Sequence, residues 1–255
     1  ARCRGPRQRR GGGMTAPKRA LVTGGSGGLG AAIAQRLAQD GLEVLVHANQ
    51  GMERAQAVVD RILAAGGRAS ACRFDVTDRA ACAAALAGLL EQGPVQVLVN
   101  NAGVHDDAVF PGMTGEQWDR VLDVSLNGFF NITQPLMLPM IRTRWGRVIN
   151  ITSVSGVVGN RGQVNYSAAK AALHAAGRSL ALEVAARGIT VNAVAPGIID
   201  SGMADGVFDA ATVKQLVPMQ RAGRAEEVAD LVAFLASERA GYISGQVIGI
   251  NGAMA

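Results

Sequence analysis

The sequence predicts a doubly wound α/β domain, a single parallel sheet of about seven strands with helices on both faces. Apolar runs of strand length recur along the chain. Every gap between them except the last is wide enough for a helix, as parallel strands require because their connections cross over the sheet. The composition agrees, since 33 glycines and only 4% aromatic residues suit small-residue helices and tight strand-to-helix turns better than a β-sandwich. With 255 residues, 49% of them hydrophobic, the chain can bury one sizeable core and is short for two ordinary domains.

From Arg19 the pattern is regular. Ala20 to Thr23 is a short apolar run that ends in glycines, and Ala31 to Gln39 then carries apolar residues at helical spacing, so the segment reads strand, turn, helix. Further strand-length runs lie at Val44 to Ala48, Ala69 to Phe74, Val95 to Val99, Val148 to Ile151, Thr190 to Ala195 and Gln246 to Ile250. Helices are expected over 52–65, 78–92, 114–141, 163–187 and 225–237. Ligands of such a sheet bind at the carboxyl ends of the strands. Residues 197–223 have no strong period and follow one of those ends, which predicts a mobile lid over the site.

The formal charge of +5 does not imply a nucleic-acid partner, because it is concentrated at one end. Arg2, Arg4, Arg7, Arg9 and Arg10 account for the whole excess, and from residue 14 onward 20 basic side chains face 20 acidic ones. Residues 1–18 are expected to form a flexible basic tail, with Met14 reading as a start and no apolar run that would make a signal peptide or a membrane anchor. No apolar stretch reaches the roughly 20 residues needed to span a bilayer. Three cysteines without CxxC spacing, and histidines scattered at 47, 105 and 174, argue against structural disulfides and a zinc site. A reducing, cytoplasmic setting is the expectation.

The first turn reads Thr23-Gly24-Gly25-Ser26-Gly27-Gly28-Leu29-Gly30. Glycines there let the backbone turn sharply and let phosphate oxygens approach the amide groups at a helix N-terminus. Tyr166 and Lys170, four apart, share one face of the helix expected over 163–187. A lysine ammonium beside a phenol favours the phenolate, so the tyrosine pKa is expected below its usual value near 10. Ser153 follows a strand at its carboxyl end, where its hydroxyl can reach the same substrate carbonyl oxygen.

TGGSGGLG from 23, NNAG from 100, Ser153 thirteen residues before the tyrosine of YSAAK from 166, and VNAVAPG from 191 together resemble the short-chain dehydrogenase/reductase family, and within it the bacterial 3-oxoacyl-acyl-carrier-protein reductases. The resemblance runs from Arg19 to Met254 and implies a Rossmann-like fold. It implies Tyr166 as general acid, Ser153 as the group that orients and polarises the carbonyl, and Lys170 as the ligand of the nicotinamide ribose. Gly24, Gly25, Ser26, Gly27, Gly28 and Leu29 would form the phosphate loop, Asp75 and Val76 would contact the adenine, and Asn101, Ala102 and Gly103 would line the cofactor. Pro196, Gly197, Ile199 and Ser201 would close on the nicotinamide. One position departs from the family. Where it carries an asparagine that holds a relay water behind the lysine, this chain has Ser125, with Asn127 on another side of the helix.

The end of the second strand, His47-Ala48-Asn49-Gln50, has no carboxylate to repel a 2′-phosphate, so Asn49 favours NADP (NADPH) over NAD, with Arg54 as a source of charge. The family arginine at Gly27 is missing. The resemblance implies a 3-oxoacyl thioester substrate, with Arg144 and Arg187, helped by Arg142, attracting an acidic acyl carrier protein. It also implies a homotetramer built through the apolar stretch Gly241 to Ala255. Two alternatives stay open: a reductase of another alcohol or ketone, and a cofactor-binding regulatory subunit with weak turnover.

Overall fold

The computed structural model describes residues 17–200 and 209–255. Seven parallel strands form one sheet in the order β3-β2-β1-β4-β5-β6-β9. They are β1 (Arg19–Val22), β2 (Glu43–Ala48), β3 (Arg68–Arg73), β4 (Val95–Asn100), β5 (Gly146–Ile151), β6 (Ile189–Pro196) and β9 (Val247–Ile250). The two short strands left out of that order, β7 (Ile199–Asp200) and β8 (Gly223–Arg224), pair only with each other. All seven expected strands are present, with ends that differ by one or two residues.

The strands read as apolar runs because both sheet faces are covered. Along β1, Ala20 and Val22 point to one face and Leu21 to the other, as the period of two in an extended chain dictates. The first face packs on α1 (Gly28–Gln39), α2 (Met52–Ala64) and α9 (Ala225–Ala236) through Ile33, Leu37, Val58, Ile62 and Val232. The second packs on α3 (Arg79–Glu91), α5 (Gly128–Thr143) and α7 (Val164–Val184) through Leu86, Ile132, Leu136, Met140 and Val184, and the one-turn α6 (Ser155–Val158) lies between β5 and α7. The direction of winding reverses between β1 and β4, and such a reversal opens a crevice beyond the strand ends.

One expectation needs adjustment. The helix expected over 114–141 is not continuous: α4 (Gly115–Leu122) passes into a π-helical turn, Asp123–Asn127, before α5 begins. Apolar spacing persists on both sides of such a turn, so periodicity does not reveal it. Lys18, at the end of the expected tail, has its ammonium 2.7 Å from Glu238 and 4.1 Å from the Trp145 ring centroid; residues 1–16 lie outside the described residues. Of the expected lid, the described part forms β7, β8 and α8 (Ala210–Leu216), and 201–208 lie outside the described residues.

Candidate active site

The expected site residues gather where β1, β4, β5 and β6 end. The β1–α1 turn needs its glycines: Gly24 has φ +63°, and a Cβ on Gly30 would stand 2.3 Å from the Gly24 carbonyl oxygen. Gly27 caps α1 without a side-chain hydrogen bond, so the first amides of the helix stay open to an anion. This cradle suits a pyrophosphate, and a Cβ at Gly24 or Gly30 would disturb it by pressing on Asn101 and Ala102 or on the Gly24 carbonyl.

Buried His47 clamps this loop from β2. Its Nδ1 accepts the Gly24 N–H at 3.1 Å and its Nε2 lies 2.9 Å from the Phe74 carbonyl. A ring that accepts at Nδ1 and donates at Nε2 is neutral, and burial lowers its pKa in agreement. The Asn101 amide donates to the carbonyls of Thr23 and Gly24 at 2.9 and 3.2 Å, so its side chain braces the loop, while Ala102 and Gly103 continue along the crevice. Asn100 is buried and bonded to Thr133 and Asn150.

At the far side of β2, Asn49 hydrogen-bonds Asp75, whose carboxylate also accepts the Thr77 N–H and hydroxyl at 2.8 Å each. The backbone N–H of Thr77 contributes most to holding the Asp75 pKa down. Val76 is buried, with its carbonyl taken by Asn131 Nδ2. Two guanidinium groups meet the backbone of the β2–α2 connection. Arg73 Nε donates to the Asn49 carbonyl at 3.1 Å, and Arg54 folds over Gly51 so closely that a Cβ there would lie 2.7 Å from its Nη2. Arg73 was not expected from sequence. It ends β3 opposite Ala48, and only strand register brings it to the end of β2.

Tyr166, Lys170 and Ser153 come together. Tyr166 and Lys170 occupy the buried face of α7, and Tyr166 shares a hydrogen bond with Ser153. Lys170 Nζ donates to the Ile151 carbonyl at 2.9 Å, at the end of β5. The expected fall in the tyrosine pKa is not found. Burial pushes Tyr166 up to about 12, against the Ser153 hydrogen bond and with a smaller upward push from the Asp107 charge. Burial likewise lowers Lys170 to about 8. The ammonium stands 5.6 Å from the phenol ring centroid and is itself desolvated. The phenol is therefore protonated at neutral pH, the state a proton donor requires.

Ser125 lies inside the π-helical turn, 4% exposed, and its hydroxyl has no hydrogen-bond partner in the protein. It lines a cavity of about 10 Å³ with Val76, Gly128 and Leu173, among others, a volume that suits about one water. Asn127 is exposed and donates to Asp123, so it does not replace the missing asparagine. At the remaining edge, Pro196 ends β6, the Gly197 N–H donates to Ile250 at 3.0 Å and Ile199 opens β7, whereas Ser201 lies outside the described residues.

Arg144, in the left-handed region at φ 51°, precedes β5, and Arg187 precedes β6. They are neighbours, with Arg144 Nη2 3.4 Å from the Ala186 carbonyl, but sit at the opposite end of the strands from Ser153 and Tyr166.

A parallel sheet of this order with a glycine cradle and a Ser-Tyr-Lys cluster defines a nucleotide-dependent oxidoreductase. The family model for short chain dehydrogenase matches residues 18–212, and the chain belongs to that family. It is 47% identical over 236 residues to the 3-oxoacyl-[acyl-carrier-protein] reductase FabG of Aggregatibacter actinomycetemcomitans, covering 92% of this chain and 98% of that protein. It is 44% identical over 244 residues to the protein of the same name from Staphylococcus aureus (strain Mu50 / ATCC 700699), covering 94% and 99%. Nodulation protein G of Azospirillum brasilense is 43% identical over 240 residues, covering 93% and 98%.

Proposed function

We propose that this enzyme reduces a 3-oxoacyl thioester, carried on acyl carrier protein or coenzyme A, to the 3-hydroxyacyl form at the expense of NADPH. The observation that carries the reading is the convergence of Ser153, protonated Tyr166 and Lys170 at the ends of β5 and α7, beside the glycine cradle. The two reductases at 47% and 44% identity supply the substrate class.

NADPH, when bound, supplies the hydride to the carbonyl carbon. The amides of the β1–α1 turn would hold its pyrophosphate, Asp75 and Val76 its adenine, Lys170 its nicotinamide ribose, and Pro196, Gly197, Ile199 and Ser201 the nicotinamide side. Arg54 and Arg73, with no carboxylate at Asn49, supply the charge that a 2′-phosphate seeks. Ser153 donates a hydrogen bond to the substrate carbonyl oxygen and Tyr166 gives that oxygen its phenolic proton. The Lys170 ammonium stabilises the phenolate left behind. Reprotonation passes through Lys170, with the unpartnered Ser125 hydroxyl holding the water that the family asparagine would hold.

Arg144 and Arg187 would attract an acidic carrier, and assembly as a homotetramer would cover Phe130, Leu138, Leu182 and Tyr242, all exposed. The free thiols of Cys72 and Cys82 accord with a cytoplasmic setting, and no helix among the described residues is long and apolar enough to cross a membrane. The deciding experiment measures NADPH oxidation with an acetoacetyl thioester, beside NADH and a panel of simple ketones. Preference for NADPH and the thioester supports the reading, and faster turnover of a simple ketone or of NADH overturns it.

A further inference from the structure

His105 lies outside every role assigned above, yet its imidazole is stacked on the Tyr166 ring, with centroids 4.2 Å apart and planes at 28°. Val121, Ala169, Val104 and Leu122 pack with Tyr166, and Lys170 Nζ stands 5.6 Å from its ring centroid. His105 supplies the aromatic contact to this ring, and Tyr166 is only 8% exposed.

The segment that carries His105 is fastened to both catalytic segments. The Ala108 N–H donates to the Gly162 carbonyl at 2.9 Å, and Asn165 Nδ2 donates to the Asp106 carbonyl at 2.9 Å, one residue before Tyr166. Gln163 Nε2 donates to Asp107 at 2.8 Å, while its carbonyl oxygen accepts from the Ser155 hydroxyl at 3.0 Å. The Ser155 N–H in turn donates to Ser153 Oγ at 3.1 Å. Asp106 is engaged elsewhere, by Gln117 and Arg120. The charged groups facing His105 are Asp107, 4.0 Å away, and Lys170.

Resting on the assignment of Tyr166 as proton donor, we propose that His105 is a positioning residue, whose stacked ring fixes the orientation of the phenol and keeps water from its face. An aromatic ring fills that place by offset stacking. The outer side of the imidazole is solvent-exposed, while desolvation of its stacked side lowers its pKa, with the Lys170 charge adding to that effect against Asp107.

The test compares His105→Phe, which keeps a stacking ring, with His105→Ala and His105→Gln, which do not. Each is made in the full chain together with Tyr242→Phe. The chain has two tyrosines and Tyr242 is fully exposed, so in this background the phenolate absorbance reports Tyr166 alone. With the ring removed, phenolate should form at lower pH, moving from about 12 toward the ordinary value near 10. The alanine and glutamine variants should lose about tenfold or more in kcat with the KM for NADPH within about twofold, while phenylalanine stays within about threefold of the parent. Unchanged phenol titration in the alanine and glutamine variants overturns the proposal, as does a phenylalanine variant as slow as alanine. The phenol titration requires no substrate, so failure of the thioester reading leaves it interpretable.

Discussion

Lys170 is the most sharply testable consequence of burial. Its ammonium is desolvated, and the fall of its pKa from 10.5 to about 8 corresponds to roughly 3 kcal/mol of destabilisation while it is charged. The unfolded lysine holds its proton up to pH 10.5, whereas the folded one releases it through about pH 8. Between those values the unfolded state binds more protons, so the wild type gains stability as pH rises and loses it as pH falls through about 8. Lys170→Met removes this dependence. It also leaves the Ile151 carbonyl without its 2.9 Å donor, at a cost of roughly 1–2 kcal/mol. Methionine should therefore stabilise the protein by about 1–2 kcal/mol near pH 7, and that advantage should shrink and reverse toward pH 10, while turnover is lost. Urea unfolding of both proteins at a series of pH values below about 10 measures the difference. Parallel stability curves would refute the burial argument.

Tyr166→Phe should cut kcat by the equivalent of roughly 3 kcal/mol or more, with NADPH affinity preserved in a fluorescence titration, since the ring and its packing remain. Asn49→Asp should lower the NADPH-to-NADH ratio of kcat/KM by about tenfold or more, because it sets a second carboxylate beside Asp75 at the end of β2, where it would repel a 2′-phosphate; an unchanged ratio would show that this position does not read the 2′-phosphate. Ser125→Ala removes a buried hydroxyl without a partner and should leave stability equal or higher in a thermal melt, yet slow turnover several-fold if that hydroxyl holds the relay water. Ser125→Asn should hold or raise turnover, and a marked loss would mean that residue 125 is not the relay position.

The seven strands were legible because a parallel strand covered on both faces must be apolar throughout, and Ala20 to Val22 or Val97 to Val99 admit few other readings. Tyr166 and Lys170 were legible for a similar reason, as residues four apart on a helix share a face whatever surrounds it. What the sequence concealed depends on distance in space. The Asp123–Asn127 turn preserves apolar spacing on either side, Arg73 reaches Asn49 only through strand register, and His105 meets Tyr166 across 60 intervening residues.

The tyrosine pKa illustrates the same division with opposite signs. Spacing correctly places a lysine one turn from the phenol, and an isolated pair in water would favour the phenolate. In the folded chain Lys170 and Tyr166 are both nearly inaccessible, so the loss of hydration acts on each charged form and outweighs their mutual attraction. Under the proposed mechanism the phenol would keep its proton until a substrate oxygen takes it. The developing charge would then meet an ammonium already fixed to the Ile151 carbonyl and a serine hydroxyl already in place, so that little reorganisation would accompany the transfer.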